Sequence, residues 1–242
     1  MKAYIVRLDC LTNMHVGNGD VNYNVIDNEV ERDPVTKYPT INASGVKGAL
    51  REFFRMQESP RINEIFGADT GGKNEQGKVK ILGADMIAIP GRASGGEKPF
   101  YLITTQEAVK RVNELAKTFI NKEIISRAEP SKEVEVEGYK LNKKSKIGDK
   151  EIYIMDHEDF DTISLPVLAR NKLDNGESKN LWYEEIVPHD SIFAFPVVSE
   201  DGDLVDEFIK TIKDKVVQFG GNASIGYGLC KVTFYGKEDG NE

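Results

Sequence analysis

The chain has 242 residues, 39% of them hydrophobic, which is enough for one large domain or two small ones with a real core. Its net charge of -8 at pH 7 argues against a surface that binds polyanions indiscriminately, so any contact with nucleic acid must depend on a local basic groove. The two cysteines form no CxxC or Cys/His cluster, and the sequence therefore predicts buried thiols and no zinc site. Because no signal peptide and no apolar run of about 20 residues is visible, we expect a reducing, cytoplasmic compartment.

The first half of the chain predicts strands and helices in turn. Hydrophobic residues alternate over 3–11, which indicates a strand with Val6 and Leu8 on one face. After a long polar segment, a helix is predicted over 45–56, with Ser44 as its N-cap because the hydroxyl can accept a hydrogen bond from a free amide of the first turn. The next predicted elements are a short helix at 61–66, strands within 78–89 and at 100–104, and an amphipathic helix at 106–121.

The second half begins with a charged stretch, residues 127–150, that is poor in aromatic residues and is broken by Pro130, Gly138 and Gly148. This composition predicts a mobile insertion rather than a domain linker. Further elements are predicted as strands at 151–155, 191–198 and 229–234, and as a helix at 204–217 with Val216 on its core stripe.

The order of these elements predicts an α+β fold of the ferredoxin or RNA-recognition-motif type. We expect one domain over 1–242 with long inserted loops at 14–42 and 127–150, although two half-copies of the same fold would also fit. Sheets of this kind often present their open face or their loops to RNA.

Two places in the sequence suit the phosphates of a nucleic acid. Lys47 and Arg51 share one helical face beside the free amides that follow Ser44, where the helix dipole favours an anion. A second place is a Gly-rich turn, which lets backbone amides approach a phosphate closely. The residues of interest in that turn are Gly220, Gly221 and Asn222. The cations could equally be solvated helix charges, and the glycines could serve only a tight turn.

Six strings of residues carry a specific resemblance to a known family. They are HVGNG from His15, VIDNEVERDPVTKYP from Val25, ASGVKGALR from Ala43, LPVLARN together with NLWYEEIVP, and GGNASIGYG near the end. On these strings the chain resembles the RAMP family of CRISPR-associated proteins, and in particular the backbone subunit of the type III-B (Cmr) effector complex. The type III-A backbone subunit shares the first, second and last strings, whereas LPVLARN and NLWYEEIVP favour type III-B.

The resemblance implies a modified RNA-recognition fold and an endoribonuclease of antiviral defence. Several copies would stack along one CRISPR guide RNA beside other Cmr-complex subunits, and complementary target RNA would be cleaved at regular intervals with a divalent metal cation, Mg or Mn. The family's cleaving carboxylate is the Asp of the ID dipeptide, which is Asp27 here, and the family's Gly-rich turn contacts phosphates. Two departures stand near this loop, since Asn42-Ala43 replaces PG and Glu29 replaces a Pro.

Asp27, His15 and Glu184 are the candidate catalytic residues. Cleavage by attack of the RNA 2'-hydroxyl needs a base, charge relief on the phosphate and help for the leaving oxygen. Since a solvated aspartate is a weak base at neutral pH, Asp27 is better suited to hold the metal ion than to take the proton. From the residues alone, Asp27 could also cap a turn, and His15 could be structural, a general acid or an RNA contact. Glu184 and Glu185 could be metal ligands or carboxylates that support the site, or they could lie on a solvated strand face. We interpret Asp20 and Asp33 as turn residues.

Other functions stay open from the sequence. The chain could be a non-catalytic RNA-binding scaffold, or a metal-independent guide-processing nuclease in which His15 transfers protons. An enzyme for small molecules is disfavoured because no nucleophile elbow, HExxH or GxGxxG motif is present.

Overall fold

A computed structural model describes residues 1–17, 26–70, 73–95, 97–175 and 177–237. The turn predicted at Asp20 and the middle of the 14–42 insertion lie outside these residues. The strands are β1 (Lys2–Cys10), β2 (Thr40–Ile41), β3 (Gly67–Thr70), β4 (Lys73–Gln76), β5 (Val79–Ile81), β6 (Ala84–Arg92), β7 (Phe100–Thr104), β8 (Glu129–Val136), β9 (Tyr139–Ile147), β10 (Lys150–Ile154), β11 (Val167–Asp174), β12 (Glu177–Glu185), β13 (Ile192–Ser199), β14 (Val216–Gln218) and β15 (Leu229–Gly236). The helices are α1 (Ala43–Met56), α2 (Ile62–Phe66), α3 (Gln106–Ile120), α4 (His157–Phe160) and α5 (Gly202–Ile212), with a 3-10 turn at Ala223–Ile225.

The main sheet has the strand order β14-β15-β1-β13-β6-β7-β10-β9-β8. Its middle strands β15, β1, β13 and β6 are antiparallel neighbours. Along the chain, α1 lies between β1 and β6, and α5 lies between β13 and β15. This is the β-α-β-β-α-β arrangement of a ferredoxin-like fold, in which the third strand enters between the first two. The predicted fold class is confirmed.

Helices cover both faces of the middle strands, because β1 has apolar residues on both sides. Val6 and Leu8 belong to the core that contains α1 and α5, where the rings of Phe54 and Phe208 stack with centroids 5.1 Å apart. On the other side, Ile5 belongs to the core that contains α3. Fully burying one such phenylalanine contributes about 1.5–3 kcal/mol. The middle of the sheet is therefore covered on both faces, and it does not offer the open face that sheets of this kind often present to RNA.

Two predicted helix boundaries were wrong. The helix α1 begins at Ala43, with Asn42 at the N-cap and no side-chain capping bond, so Ser44 lies exposed inside the first turn. The shift follows from Ile41, which is buried in β2, because only one residue separates the end of this strand from the first residue of the helix. The helix α5 ends at Ile212, and Val216 is 46% exposed in β14, where it pairs with β15.

The predicted mobile insertion at 127–150 needs correction. These residues form the hairpin β8–β9, which joins the main sheet through the pairing of β9 with β10. Val136, Leu141 and Ile147 are buried along it. The alternation of buried and exposed residues in this hairpin is hard to recognise in the sequence, because charged residues are so frequent there. The charges lie on the solvent side of strands whose other side packs on the core.

Cys10 and Cys230 are buried free thiols, as predicted. They are directly opposite each other on β1 and β15, with their Sγ atoms 3.7 Å apart. The hydrogen bond between them raises the pKa of Cys10, and burial raises it further, so this thiol stays protonated. No helix in the described ranges is long and apolar enough to cross a membrane.

Candidate active site

The last residues of β12 hold Asp27 in place. The backbone N–H of Asp27 donates to the carbonyl of Tyr183 at 3.1 Å, and the N–H of Tyr183 donates to Asp27 Oδ2 at 2.8 Å. The next residue, Asn28, forms a parallel bridge with Glu184. Asp27 is therefore held at a bend against a strand 156 residues further along the chain, and its carboxylate does not cap a local turn.

The carboxylate of Asp27 is exposed. Oδ2 accepts the Tyr183 amide, and among the described residues no hydrogen-bond donor reaches Oδ1. One oxygen is thus fixed by the fold, while the other remains available to a cation or to RNA.

His15 is attached to the same strand end. Its Nδ1 lies 2.7 Å from the backbone carbonyl of Glu185, and the residue is only 9% exposed. A carbonyl only accepts hydrogen bonds, so Nδ1 carries the proton and Nε2 is the acceptor in the neutral ring. Gly17 lies beside that nitrogen, because a Cβ at this position would be 3.0 Å from Nε2. The tautomer and the direction of the ring are both set by β12.

Glu184 joins the hairpin β11–β12 to the Gly-rich turn. It is 4% exposed, and its Oε1 accepts from Asn222 Nδ2 at 2.9 Å. Its Oε2 lies 3.1 Å from Nε of Arg170, whose guanidinium lies over the Tyr227 ring at 5.0 Å. Oε2 and that Nε are buried without a well-aligned hydrogen bond, so their contact is ionic. Glu184 is therefore not on a solvated strand face.

The Gly-rich turn packs directly on His15. Gly220 has φ +79, and a Cβ there would lie 2.3 Å from the carbonyl oxygen of His15. The N–H of Gly221 donates to the same oxygen at 2.9 Å. Gly220 is thus required by a close approach inside the chain. Gly220 and Gly221 are nevertheless exposed, so their outer side remains open to a ligand.

The first turns of α1 form a separate basic surface. Ser44, Lys47 and Arg51 are exposed, and no acidic residue lies in the first turn. Within the described residues, neither cation has an ion-pair partner. Gly48 faces open space, since a Cβ there would meet nothing within 4 Å. This surface suits a phosphate chain, but in the described part of the protein no hydrogen bond or ion pair connects it to Asp27.

Comparison with known proteins identifies the family of the chain. The profile of the RAMP superfamily matches residues 7–231. The chain belongs to the RAMP superfamily. The CRISPR system Cmr endoribonuclease Cmr4 of Pyrococcus furiosus is 29% identical to it over 286 residues, which cover 96% of both proteins.

Two solved structures share the fold of this RAMP protein. The crystal structure of oligomeric Cmr4 from Pyrococcus furiosus has a TM-score of 0.72 and 22% identity, and the match covers 99% of this chain and 100% of that one. A subunit of the type III-B Cmr-beta complex bound to cognate target RNA has a TM-score of 0.78 and 20% identity, with 97% of both chains covered.

A preformed metal cage is absent from the described part of this RAMP protein, where no group of three or more His, Cys, Asp or Glu side chains could hold a metal ion. The exposed carboxylate of Asp27 still fits Mg²⁺, which is commonly bound by one or two carboxylates together with substrate phosphates and water. The donor set suits a cation that arrives with RNA.

Sequence reasoning did not select two residues of the site, although Glu185 was weighed together with Glu184. Arg32 and Glu185 form an ion pair beside Asp27, with Arg32 Nη2 2.6 Å from Glu185 Oε1. The signal was present, because Val30 and Arg32 alternate in the motif that follows Asp27, which indicates an extended segment with one side turned inward.

Proposed function

We propose that this RAMP protein is the backbone subunit of a type III-B CRISPR effector complex, which binds the guide RNA and cleaves complementary target RNA as an endoribonuclease. The observation that carries the proposal is the exposed Asp27 carboxylate, fixed to β12 beside His15. Its support from relatives is the likeness to Cmr4 over 96% of the chain. Several copies stack along the guide with other Cmr-complex subunits, in the cytoplasm, where the two free thiols remain reduced.

The guide is held through its sugar-phosphate backbone, because a guide of variable sequence cannot be recognised base by base. Lys47 and Arg51 supply charge at the start of α1, and Ser44 leaves small, polar surface beside them. The Gly221 amide is already bonded to the His15 carbonyl, so the exposed Gly220, whose N–H has no hydrogen-bond partner among the described residues, supplies the backbone donor of the turn.

Each candidate catalytic residue has a distinct task in the cleavage. Asp27 holds Oδ1 outward because Oδ2 is bound by the Tyr183 amide. A divalent cation, Mg or Mn, held by Asp27 and RNA phosphate oxygens would neutralise charge on the scissile phosphate and the leaving oxygen. His15 keeps Nε2 as the proton acceptor of its neutral ring. Glu184 is buried and bonded to Asn222, so it positions the Gly-rich turn rather than reacting.

The test is cleavage of an end-labelled complementary RNA by the reconstituted complex, with wild type compared with Asp27→Ala. We expect the regular ladder of products to disappear while guide and target binding are unchanged. Asp149→Asn is the matched control, because that carboxylate is 84% exposed between β9 and β10, where it makes a 3.8 Å contact with Arg7 and none with Asp27, His15 or β12. An unchanged ladder in Asp27→Ala would make this chain a non-catalytic scaffold, and cleavage that survives EDTA would favour proton transfer by His15 without metal.

A further inference from the structure

Glu185 binds two separate parts of the candidate active site at once, through four partner residues. Its backbone N–H donates to the carbonyl of Asn28 at 2.9 Å, and its own carbonyl accepts from His15 Nδ1 at 2.7 Å. Its carboxylate accepts the N–H of Val30 at 3.1 Å. The two Nη atoms of Arg32 donate to the two carboxylate oxygens at 2.7 and 2.6 Å. A single residue thus connects His15 to the segment that carries Asp27.

The ion pair between Glu185 and Arg32 holds the segment that carries Asp27 in one arrangement. The Glu185 side chain is 8% exposed and that of Arg32 31%. The hydrogen bonds that Arg32 donates to Glu185 raise the pKa of Arg32, in spite of the opposing effect of burial. A buried carboxylate is tolerated only while its partners are present, and a two-pronged contact with a guanidinium also fixes direction. Displacing Arg32 would leave a buried charge without its partner.

This pair completes the fixation of Asp27. The backbone of residues 27–28 is bonded to Tyr183, and four to five residues later the chain is bonded to Glu185. The segment between also pairs with residues 16–17, through the Gly17–Val30 bridge and the N–H of Glu31, which donates to the carbonyl of Val16, and Val30 is only 2% exposed. The Tyr183 bonds and the Glu185–Arg32 pair add two points of attachment to the end of β12, which together fix the direction of the segment relative to that strand.

We propose that Glu185 and Arg32 are positioning residues for target-RNA cleavage, because they clamp the Asp27 segment and the His15 ring onto one strand end. This inference rests on the proposed function. Neither side chain touches the reacting atoms, and both act by holding Asp27 and His15 at a fixed separation. The alternative is an ion pair that only stabilises the fold, without an effect on the rate of the chemical step.

Two variants separate these possibilities in the reconstituted complex. Glu185→Gln keeps an acceptor for the Val30 amide but removes the charge, and Arg32→Lys keeps the charge but removes the two-pronged contact. Glu207→Gln is the matched control, since its ion pair with Arg61, 2.8 Å long, lies in another part of the fold. The measurements are the single-turnover cleavage rate, the affinity for target RNA and the hydrogen exchange of the amides at 26–32.

We expect Glu185→Gln to slow single-turnover cleavage about 10- to 100-fold, with target affinity and assembly unchanged and faster exchange at the Val30 amide. Arg32→Lys should lie between that variant and wild type, and Glu207→Gln should equal wild type. Cleavage by Glu185→Gln at the wild-type rate would overturn the inference, as would a loss of target affinity or assembly as large as the loss of rate. If Glu185→Gln does not assemble, the same criteria apply to Arg32→Lys.

The two proposals fail in different ways. If Asp27→Ala cleaves normally, the proposed function is wrong for this chain. If Asp27→Ala is inactive and Glu185→Gln is fully active, only the positioning role is wrong.

Discussion

The N–H of Tyr183 donates to Oδ2 of Asp27, so a residue of β12 occupies one oxygen of the exposed carboxylate. Glu184 and Glu185, the next two residues of the strand, then point in opposite directions, the first to Asn222 and the second to Arg32. The alternation of side chains along a β-strand thus places the Gly-rich turn on one side of β12 and the Asp27 segment on the other.

Removal of divalent metal ions should affect RNA cleavage by the complex but not the thermal stability of the isolated chain. Since the described residues contain no cluster of three or more ligand side chains, the isolated chain should have the same melting temperature in EDTA as in Mg²⁺. Target cleavage by the complex should be abolished by EDTA and recovered with added Mg²⁺ or Mn²⁺. The measurements are thermal unfolding and the cleavage ladder. A melting temperature that rises with Mg²⁺ in the absence of RNA would contradict the expectation of an RNA-assisted cation site.

The variant His15→Asn should distinguish the structural role of Nδ1 from a catalytic role of Nε2. The Asn amide can donate to the Glu185 carbonyl in place of Nδ1, but nothing replaces Nε2. If Nε2 takes part in proton transfer, we expect single-turnover cleavage to fall about 100-fold or more, with little change in the free energy of unfolding. His15→Gln, which instead can retain a polar group near Nε2, serves as the comparison. Full activity of His15→Asn would make His15 purely structural.

Gly220→Ala should lower the free energy of unfolding far more than Gly226→Ala. Both glycines have positive φ, +79 and +80, but a Cβ at Gly220 would lie 2.3 Å from the His15 carbonyl oxygen, whereas Gly226 faces open space. We expect a loss of about 1 kcal/mol at Gly226 from backbone strain and of more than about 3 kcal/mol at Gly220, where strain and collision add. Urea unfolding of the isolated chain measures both values, and equal losses would contradict the close packing of the turn on His15.

Lys47→Ala and Arg51→Ala should weaken guide binding without affecting stability. Both side chains are exposed, and each phosphate contact removed should reduce the slope of log affinity against log salt by about 1. The free energy of unfolding should change by less than about 0.5 kcal/mol. Lys110→Ala, on the exposed side of α3, is the control and should leave the slope unchanged. Unaltered guide affinity in the α1 variants would mean that these two side chains are solvated and do not contact the guide.

Asp33 should make stability depend on pH in the acid range. Burial acts to raise the pKa of Asp33, but hydrogen bonds from Thr36 and Val35 lower it overall. A carboxylate with a lowered pKa stabilises the folded state above its unfolded pKa of about 3.9, and the stabilisation is lost as the pH falls through the folded value. Wild type should therefore lose slightly more stability than Asp33→Asn between about pH 5 and pH 3, by less than about 1 kcal/mol because the turn is partly solvated.

The fold could be predicted because the pattern of each central element is local. The alternation in β1 and the helical spacing in α3 are visible within about ten residues, and both elements have nearly the predicted bounds. The cap of α1 was predicted wrongly because burial of Ile41, a tertiary effect, moves the start of the helix. The turn at Asp33 is as predicted, since Asp33 Oδ1 accepts from the amides of Val35 and Thr36.

The site could be predicted only in part. Motif strings pointed to Asp27, His15 and Glu184, but the role of Glu185 depends on contacts with residues more than 150 positions away. Paired glutamates in a sequence are usually solvated, and nothing local distinguishes the buried pair at the end of β12 from such a pair. The hairpin β8–β9 was missed for a similar reason, because its buried side is completed by other strands.

The strand end at 183–185 contacts residues from near the beginning of the chain and also Asn222, so the arrangement of the candidate site has a very high contact order. During synthesis, the ribosome must release the Gly-rich turn before His15 and Glu184 have all their partners, because Gly221 bonds to His15 and Asn222 to Glu184. A nascent chain that stops before residue 222 therefore lacks an assembled site, and the proposed nuclease would acquire its activity only after the Gly-rich turn has emerged from the ribosome.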